Sequence, residues 1–393
     1  MEAVSPTKHL RVANIIEEGR LGGPQVRIAN VAKALKPQVE TTVVLPDENS
    51  SQFRALLDQY RISYKTFKLS RITKEPKMAL KYLLFSWYEI IQLARYFRKE
   101  DFDLIHVSGG SWQYKGVIAG KLAGKKVVWH LNDTKMPHLI KTIFSLLSGL
   151  ADAYIFASNR SMHLYKPLLR RDKFNFIIPA PVNTTVFDPE RIEGDIDSNW
   201  KGKIVVGTTA NINPIKGLEL FLRAASKLNM AYEKLFFVIV GATFEGQKSY
   251  YKKLVTLCNE LSIHNIAFTG QTMDVRPFLN RFDIYVCSSI AESSPVSVWE
   301  AMSMAKPVIS TDVGDVALYV KDNENGFIIQ VDDEHALAEK IGVLIENEQL
   351  RHDFGRKARE TAIKRLDIRN CANLHKKAYL SICQRDETRS LKE

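Results

Sequence analysis

Four stretches of the sequence bring chemically capable side chains to places where a loop meets a helix. In Glu292-Ser293-Ser294-Pro295-Val296-Ser297-Val298-Trp299-Glu300 two carboxylates stand with seven residues between them, with Ser294 placed to cap a helix and Pro295 to open it. Carboxylates so placed can accept hydrogen bonds from several hydroxyls of one ligand. Thr208 to Gly217 carries Lys216 to the start of a helix expected over Leu218 to Leu228. A cation opposes the positive end of a helix, so an anion is expected near it. Glu17 to Pro24 sets Gly22 and Gly23 before another helix, where backbone N–H groups can approach a phosphate, although the Gly-x-Gly-x-x-Gly spacing is missing and a plain tight turn fits equally. His130 ends the apolar run Val127 to Trp129. It could orient a reacting group or be bonded structurally at a strand end.

The elements that must hold these residues alternate along the chain. Strand-like runs at Val12 to Ile16, Thr42 to Leu45, Leu104 to Val107, Val127 to Trp129 and Ala153 to Ala157 are separated by helical patterns. A second series follows at Ile204 to Gly207, Leu235 to Val240, Ile266 to Thr269, Ile284 to Cys287 and Val308 to Ser310. Such alternation predicts an α/β protein of two parallel, doubly wound sheets. The proline-containing stretch Ile178 to Lys203 separates the series, giving domains over 1–183 and 184–367. Three helical patterns, Glu334 to Asn347, Leu350 to Arg365 and Ile368 to Gln384, close the chain, and residues 368–393 are expected to pack back on the first domain before a polar tail. Ligands of such sheets bind beyond the carboxyl ends of the strands, where the four stretches fall.

A chain of 393 residues with 45% hydrophobic and 25% charged residues is of globular type and long enough for two cores. No apolar run approaches the roughly 20 residues that span a bilayer, and Met1 to Arg11 has no signal-peptide pattern, so a cytoplasmic protein is expected. Cys258, Cys287, Cys371 and Cys383 are scattered and read as reduced, structural thiols. The net charge of +11 lies in the first half, where residues 1–185 hold 28 Lys plus Arg against 15 Asp plus Glu. That half is expected to favour phosphates, acidic glycans or an anionic membrane surface, or simply to be solvated. Without an aromatic stacking motif a nucleic-acid partner is not expected. Lys77 to Lys99 holds Leu80, Leu83, Leu84, Trp87, Ile90, Ile91 and Ala94 at near-helical spacing, read as core packing with a membrane-facing helix as the alternative. Asp101 with Asp103 and Asp195 with Asp197 mimic metal-binding pairs, but nothing else supports a metal, and His106 is assigned to the core.

With its acid, seven-residue gap, acid and Ala301-Met302, the segment Glu292 to Gly314 resembles the signature of the retaining glycosyltransferases of family four. Gly22-Gly23, Asn211 to Gly217, Phe282 to Ser288 and Asn323 to Ile329 resemble further motifs of that family in the same order. The resemblance implies the GT-B fold, two Rossmann-like domains facing across a cleft, with residues 1–183 binding the acceptor and 184–367 the nucleotide sugar. It implies transfer of a sugar from a nucleotide diphosphate sugar, with UDP favoured, to a glycan or lipid-linked acceptor in polysaccharide or glycolipid synthesis, without metal or cofactor. By it Glu300 holds the donor ribose and Glu292 the donor sugar, while N–H groups around Ser294, Pro295 and Val296 meet sugar hydroxyls or phosphate. Lys216 neutralises the leaving diphosphate, Gly22 and Gly23 bring a backbone N–H, and His130 orients sugar and acceptor. Two departures stand out. Asn211 occupies a position where the family usually carries Arg, leaving Lys216 alone or Arg27 as substitute, and Ala180-Pro181-Val182-Asn183 replaces the usual hinge. The missing Arg keeps open a catalytically silent, nucleotide-sugar-binding subunit.

Overall fold

A computed structural model describes residues 9–70, 76–170, 173–192 and 200–384. The chain forms two compact units, residues 1–180 with 368–393, and residues 181–367.

The first unit runs β1 (Leu10–Ile15), α1 (Gly23–Leu35), β2 (Val39–Pro46), α2 (Ser51–Gln59), β3 (Ser63–Phe67), α3 (Pro76–Lys99), β4 (Leu104–Val107), α4 (Lys115–Leu122), β5 (Lys126–Leu131), α5 (His138–Leu147), β6 (Ala153–Phe156), α6 (Asn159–Tyr165) and β7 (Phe174–Ile177). Its strands pair in parallel in the order β3-β2-β1-β4-β5-β6-β7. Every residue of β4 and β6 is buried, as strands covered on both faces require. The edge strands β3 and β7 are mixed in polarity and only partly buried, which is why the apolar-run criterion passes over them.

The second unit runs β8 (Ile204–Thr209), α7 (Leu218–Asn229), β9 (Leu235–Val240), α8 (Lys248–Glu260), β10 (Ile266–Gly270), α9 (Arg276–Arg281), β11 (Ile284–Cys287), α10 (Val296–Ser303), β12 (Val308–Thr311), α11 (Val316–Tyr319), β13 (Gly326–Ile329), α12 (Glu334–Glu346) and α13 (Glu348–Thr361). Its sheet, also parallel, has the order β10-β9-β8-β11-β12-β13. Helix α7 lays Leu218, Phe221, Leu222, Ala225 and Leu228 against this sheet at a spacing of three to four residues. Each such large side chain contributes roughly 1.5–3 kcal/mol on burial. The pattern expected to run unbroken from Leu350 to Arg365 stops at Thr361 and passes into a π-helical turn, Ala362–Leu366.

The last helix, α14 (Ile368–Gln384), belongs to the first unit. Ile368, Cys371, Ala372, Ala378, Tyr379 and Ile382 pack there with Leu10, Val12, Val31 and Leu35.

Within each sheet the strand order reverses once. The chain lays β2 and β3 to one side of β1 and then crosses to β4 on the other, and it repeats this with β8 and β11. Loops leaving such a pair of neighbouring strands in opposite directions open a crevice at the carboxyl edge. In the second unit those loops carry Lys216 and Glu292; in the first, Gly22 and Gly23 follow β1.

Candidate functional site

In the second unit the loop after β8 ends in a single 3-10 turn, Pro214–Lys216, closed by the Asn213 side chain accepting from the Ile215 N–H at 3.1 Å. Gly217 then takes a left-handed conformation (φ 57°), and a Cβ there would meet the Ser288 carbonyl at 2.1 Å. Only glycine lets the two loops approach so closely. They are joined further by Ile290 N–H to Ile215 O at 2.8 Å and by Ser288 Oγ to Lys216 O at 3.0 Å. The result is that Lys216 Nζ donates to Glu292 Oε1 at 2.6 Å, and Ser289 Oγ donates to the same oxygen at 2.9 Å. Burial disfavours the ammonium, but the Glu292 carboxylate outweighs that and holds its pKa above the ordinary lysine value.

Asn211, where the related motif has Arg, accepts from the Ala242 N–H at 3.2 Å and so ties this loop to the one after β9.

The loop after β11 leads into α10. Ser294 does not cap this helix and Pro295 does not lie within it. Pro295 occupies the cap position, Val296 is the first helical residue, and Ser294 Oγ instead accepts from the Trp299 indole N–H at 3.3 Å. The indole, fully buried in the core, claims the hydroxyl, and α10 starts with no side-chain cap and no acid in its first turn. Ser293 Oγ is buried with no hydrogen-bond partner among the described residues. Gly314, left-handed (φ 54°), backs this loop, because a Cβ would strike Ser293 O at 2.4 Å.

Glu300, four residues after Val296, shares its face of the helix. Its carboxylate is partly buried, and among the described residues it has no hydrogen-bond or ion-pair partner. Burial alone pushes its pKa up to about 8.

In the first unit α1 begins at Gly23 with Gly22 as an extended, uncapped N-cap and Pro24 in the first turn. Neither glycine has a left-handed φ, and a Cβ on Gly23 would have nothing within 4 Å. The fold itself does not require glycine at position 23.

His130 is completely buried inside β5, at the centre of a cluster. Arg27 Nη1 donates to His130 Nε2, His130 Nδ1 lies 3.2 Å from His106 Nε2, and His106 Nδ1 lies 2.7 Å from Tyr379 Oη. A guanidinium can only donate. His130 Nε2 is therefore the acceptor, its proton sits on Nδ1 and points to His106, and the His106 proton on Nδ1 points to Tyr379. Burial, then the neighbouring Arg27 charge, drives the His130 pKa well below the usual histidine range; burial and His375 do the same to His106. His375 falls to about 4, mainly by burial. Arg27, lowered to about 10 by burial, stays charged near neutrality, and its Nη2 is buried without a partner among the described residues. Assigning His106 to an apolar core was thus incomplete, and Arg27 is held against His130. The signal lay in register. Asn14 pairs with His106 and His106 with Val128, so Asn14, His106 and His130 share one face of three adjacent strands.

The helix expected to bury its Trp87 stripe does so only in part: Ala94 is buried and Ile90 packs on the core, whereas Trp87 and Ile91 are exposed. Trp87 is 63% exposed, Phe85 and Tyr88 are about half exposed, and Leu93 and Phe97 are buried instead. The rotation follows from Glu89 on the inner face, which pairs with buried Lys115 at 2.5 Å. Leu80, Leu83 and Leu84 lie outside the described side chains. Asp101 pairs with Lys125 at 2.8 Å and Asp103 accepts from the Arg11 N–H at 2.8 Å, while Asp195 and Asp197 fall outside the described residues. Among the described residues no group of three His, Cys, Asp or Glu could hold a metal ion, and no helix is long and apolar enough to cross a membrane. All four cysteines are free thiols.

Two doubly wound parallel sheets with loop crevices at their switch points define a two-unit, Rossmann-like protein. A model of the glycosyl transferases group 1 matches residues 192–361, and a model of Glycosyltransferase Family 4 matches residues 21–185. The chain belongs to the family-four glycosyltransferases, whose architecture is GT-B. The N,N'-diacetylbacillosaminyl-diphospho-undecaprenol alpha-1,3-N-acetylgalactosaminyltransferase of Campylobacter jejuni is 24% identical over 356 residues, 85% of this chain and 89% of that one. The UDP-Gal:alpha-D-GlcNAc-diphosphoundecaprenol alpha-1,3-galactosyltransferase of Escherichia coli is 25% identical over 62% of this chain and 66% of its own length. The crystal structure of Anabaena HepE with UDP and glucose superposes with a TM-score of 0.80 at 19% identity, covering 95% of this chain and all of that one.

Proposed function

We propose that this protein is a retaining, metal-independent glycosyltransferase that moves a sugar from a UDP-sugar to a glycan or lipid-linked acceptor. The observation that carries the donor assignment is the set of groups around the second unit's switch point: Lys216 on Glu292, the uncapped start of α10, and Glu300 with no partner among the described residues. A UDP-bound Anabaena neighbour and two relatives named for transfer to undecaprenol-linked sugars support the choice of donor and acceptor.

On this reading the donor diphosphate takes the Lys216 ammonium from Glu292, aided by the N–H groups at the start of α10 that flank Pro295, which has none of its own, from Ser294 and from Val296 onward. Glu292 is released to accept a hydroxyl of the donor sugar, and Glu300 accepts from the ribose. As the bond between the anomeric carbon and the phosphate oxygen breaks, Lys216 stabilises the charge growing on that oxygen. The acceptor hydroxyl attacks from the same face, and its proton passes to the leaving phosphate oxygen, so configuration is kept. His130 enters as a positioning residue, because both ring nitrogens are engaged. The N–H groups at Gly22 and Gly23 are assigned to an anionic group of the substrates. A peripheral place at the inner membrane face fits the exposed Phe85, Trp87, Tyr88 and Ile91 of α3 beside Arg95 and Arg98. Asn211, already engaged, supplies no charge, and Lys216 acts without a second cation from that loop.

A thermal-shift series with UDP, GDP and ADP, followed by donor turnover, tests this. UDP is expected to raise the midpoint most, and the product to keep the donor's anomeric configuration. If no nucleotide diphosphate raises it, or the product is inverted, the proposal fails; binding without transfer or slow hydrolysis favours the silent subunit.

A further inference from the structure

Beside the charged pair Lys216 and Glu292 the second unit exposes an apolar one. Ile215, just before Lys216, and Ile290, two residues before Glu292, are 39% and 42% exposed. Both sit in loops at the carboxyl edge of the sheet, and the Ile290 N–H donates to Ile215 O at 2.8 Å. Ile290 also lies against Gly217, whose missing side chain leaves it room: a Cβ there would stand 3.4 Å from Ile290 Cγ1. Scattered surface isoleucines need no explanation. These two are neighbours, held by the backbone of loops that already touch, and they border the groups assigned to the donor.

The polar side of this border is half engaged. Glu292 Oε1 accepts from both Lys216 Nζ and Ser289 Oγ, whereas Oε2 has no hydrogen-bond partner among the described residues. A sugar held by Glu292 therefore meets one free carboxylate oxygen and, next to it, an isoleucine surface that offers nothing to a polar atom.

Four substituents of a hexose ring can be compared against that pairing. A hydroxyl pressed on the isoleucines would lose water without gaining a partner. A carboxylate would in addition face the like charge of Glu292. A methyl at C6 would suit the isoleucines and leave Oε2 without a donor. An acetamido group brings both, a methyl to be taken out of water by the isoleucines and an N–H for Oε2.

We infer that the donor sugar is a 2-acetamido-2-deoxyhexose, its acetyl methyl packed on Ile290 and Ile215. The inference rests on the glycosyltransferase reading and narrows it, from a UDP-sugar in general to a UDP-N-acetylhexosamine. Ile290 determines specificity and takes no part in bond breaking.

The test is calorimetric titration of the intact chain, without acceptor. The ligands are UDP, UDP-glucose, UDP-galactose, UDP-N-acetylglucosamine, UDP-N-acetylgalactosamine and UDP-6-deoxyglucose. One apolar carbon in a hydrophobic pocket discriminates by about 10- to 200-fold, and a half-open surface gives the low end. At least one N-acetylhexosamine donor should therefore bind about tenfold more tightly than the hexose of the same configuration. That ratio should fall below about threefold in Ile290→Ser and in Ile215→Ser, which remove most of the apolar surface, and persist in Met230→Ser, a fully exposed position of the same unit. Equal affinity for acetamido and hydroxyl donors in the wild-type chain overturns the inference whether or not a variant folds. So does a ratio that survives both isoleucine variants, or tightest binding of the 6-deoxy donor. Absence of binding by UDP and by every UDP-sugar counts against the glycosyltransferase reading, whereas binding of UDP without acetamido preference counts against this inference alone.

Discussion

Around the carboxyl edge of the second sheet, polar groups stand ready for a visitor; around His130 in the first unit they are bound to one another. Among the described residues Glu300 is partly buried with nothing to hold, Ser293 Oγ lacks a partner, and α10 starts uncapped. Arg27, His130, His106 and Tyr379 instead form a chain of donors and acceptors with neutral imidazoles throughout, open among the described residues at Arg27 Nη2 alone. Unpartnered groups cost stability in the empty protein and are retained where a ligand completes them; closed networks fix geometry. The first pattern marks binding and the second marks positioning.

The contrast breaks most sharply at Lys216. Lys216→Ala should lower transfer by about 100-fold or more, the scale of losing one group that stabilises the transition state, with the fold intact by circular dichroism. A loss under tenfold would remove Lys216 from the chemistry.

Glu300→Gln should weaken UDP by about tenfold, the scale of a hydrogen bond to a charged group, measured by calorimetry. The pH dependence sharpens this. Glu300 has its folded pKa raised from 4.5 to about 8, so the folded chain holds that proton more tightly than the unfolded one. Its carboxylate therefore costs stability progressively as pH rises from about 4.5 through 8, and the variant should gain on wild type across that window. An ionised carboxylate accepts from ribose hydroxyls more strongly than a neutral carboxyl, so wild-type UDP affinity should increase through pH 8 while that of the variant stays flat.

The histidine cluster should behave in the opposite sense. The folded pKa of His375 is lowered from 6.5 to about 4, so the unfolded chain binds protons first, and stability present above pH 6.5 is lost as pH falls towards 4. His375→Asn should flatten that acid limb by up to about 3 kcal/mol in urea titrations. A limb unchanged by the substitution would mean the cluster is not neutral.

Tyr379→Phe should cost about 1 kcal/mol, one internal hydrogen bond, and leave UDP affinity unchanged. Long-range ¹H–¹⁵N spectra should find the His130 proton on Nδ1; a proton on Nε2 contradicts the Arg27 contact. The smallest effect on stability is expected from Gly23→Ala, within about 1 kcal/mol by unfolding, because nothing lies within 4 Å of the added methyl. Transfer should nevertheless fall several-fold if substrate approaches that N–H.

Much of this was legible in the sequence, and the failures have physical causes. β9 and β11 carry uninterrupted apolar runs and β4 one broken only by His106, and their bounds can be read to the residue, whereas β3, with Ser63, Lys65 and Thr66, has the mixed polarity of a sheet edge and escapes an apolar criterion. Lys216, Glu292 and Glu300 could be picked out because loop and helix start lie close together in sequence. The partnership of Arg27, His106, His130 and Tyr379 joins α1, β4, β5 and α14, and nothing local to any of them announces it. The cap of α10 went to Pro295 because the hydroxyl of Ser294 answers to a buried indole five residues on.

Helix α14 imposes an order on biogenesis. The sheet of the first unit is translated first, yet Leu10, Val12 and Val31 lack part of their cover, and His106 its phenol, until residues 368–384 have been made. Residues 181–367 contain a whole core of their own and can mature earlier. The half that emerges first from the ribosome is the half that is finished last, so a premature stop just before Ile368 would leave a complete second unit behind an unsealed first one.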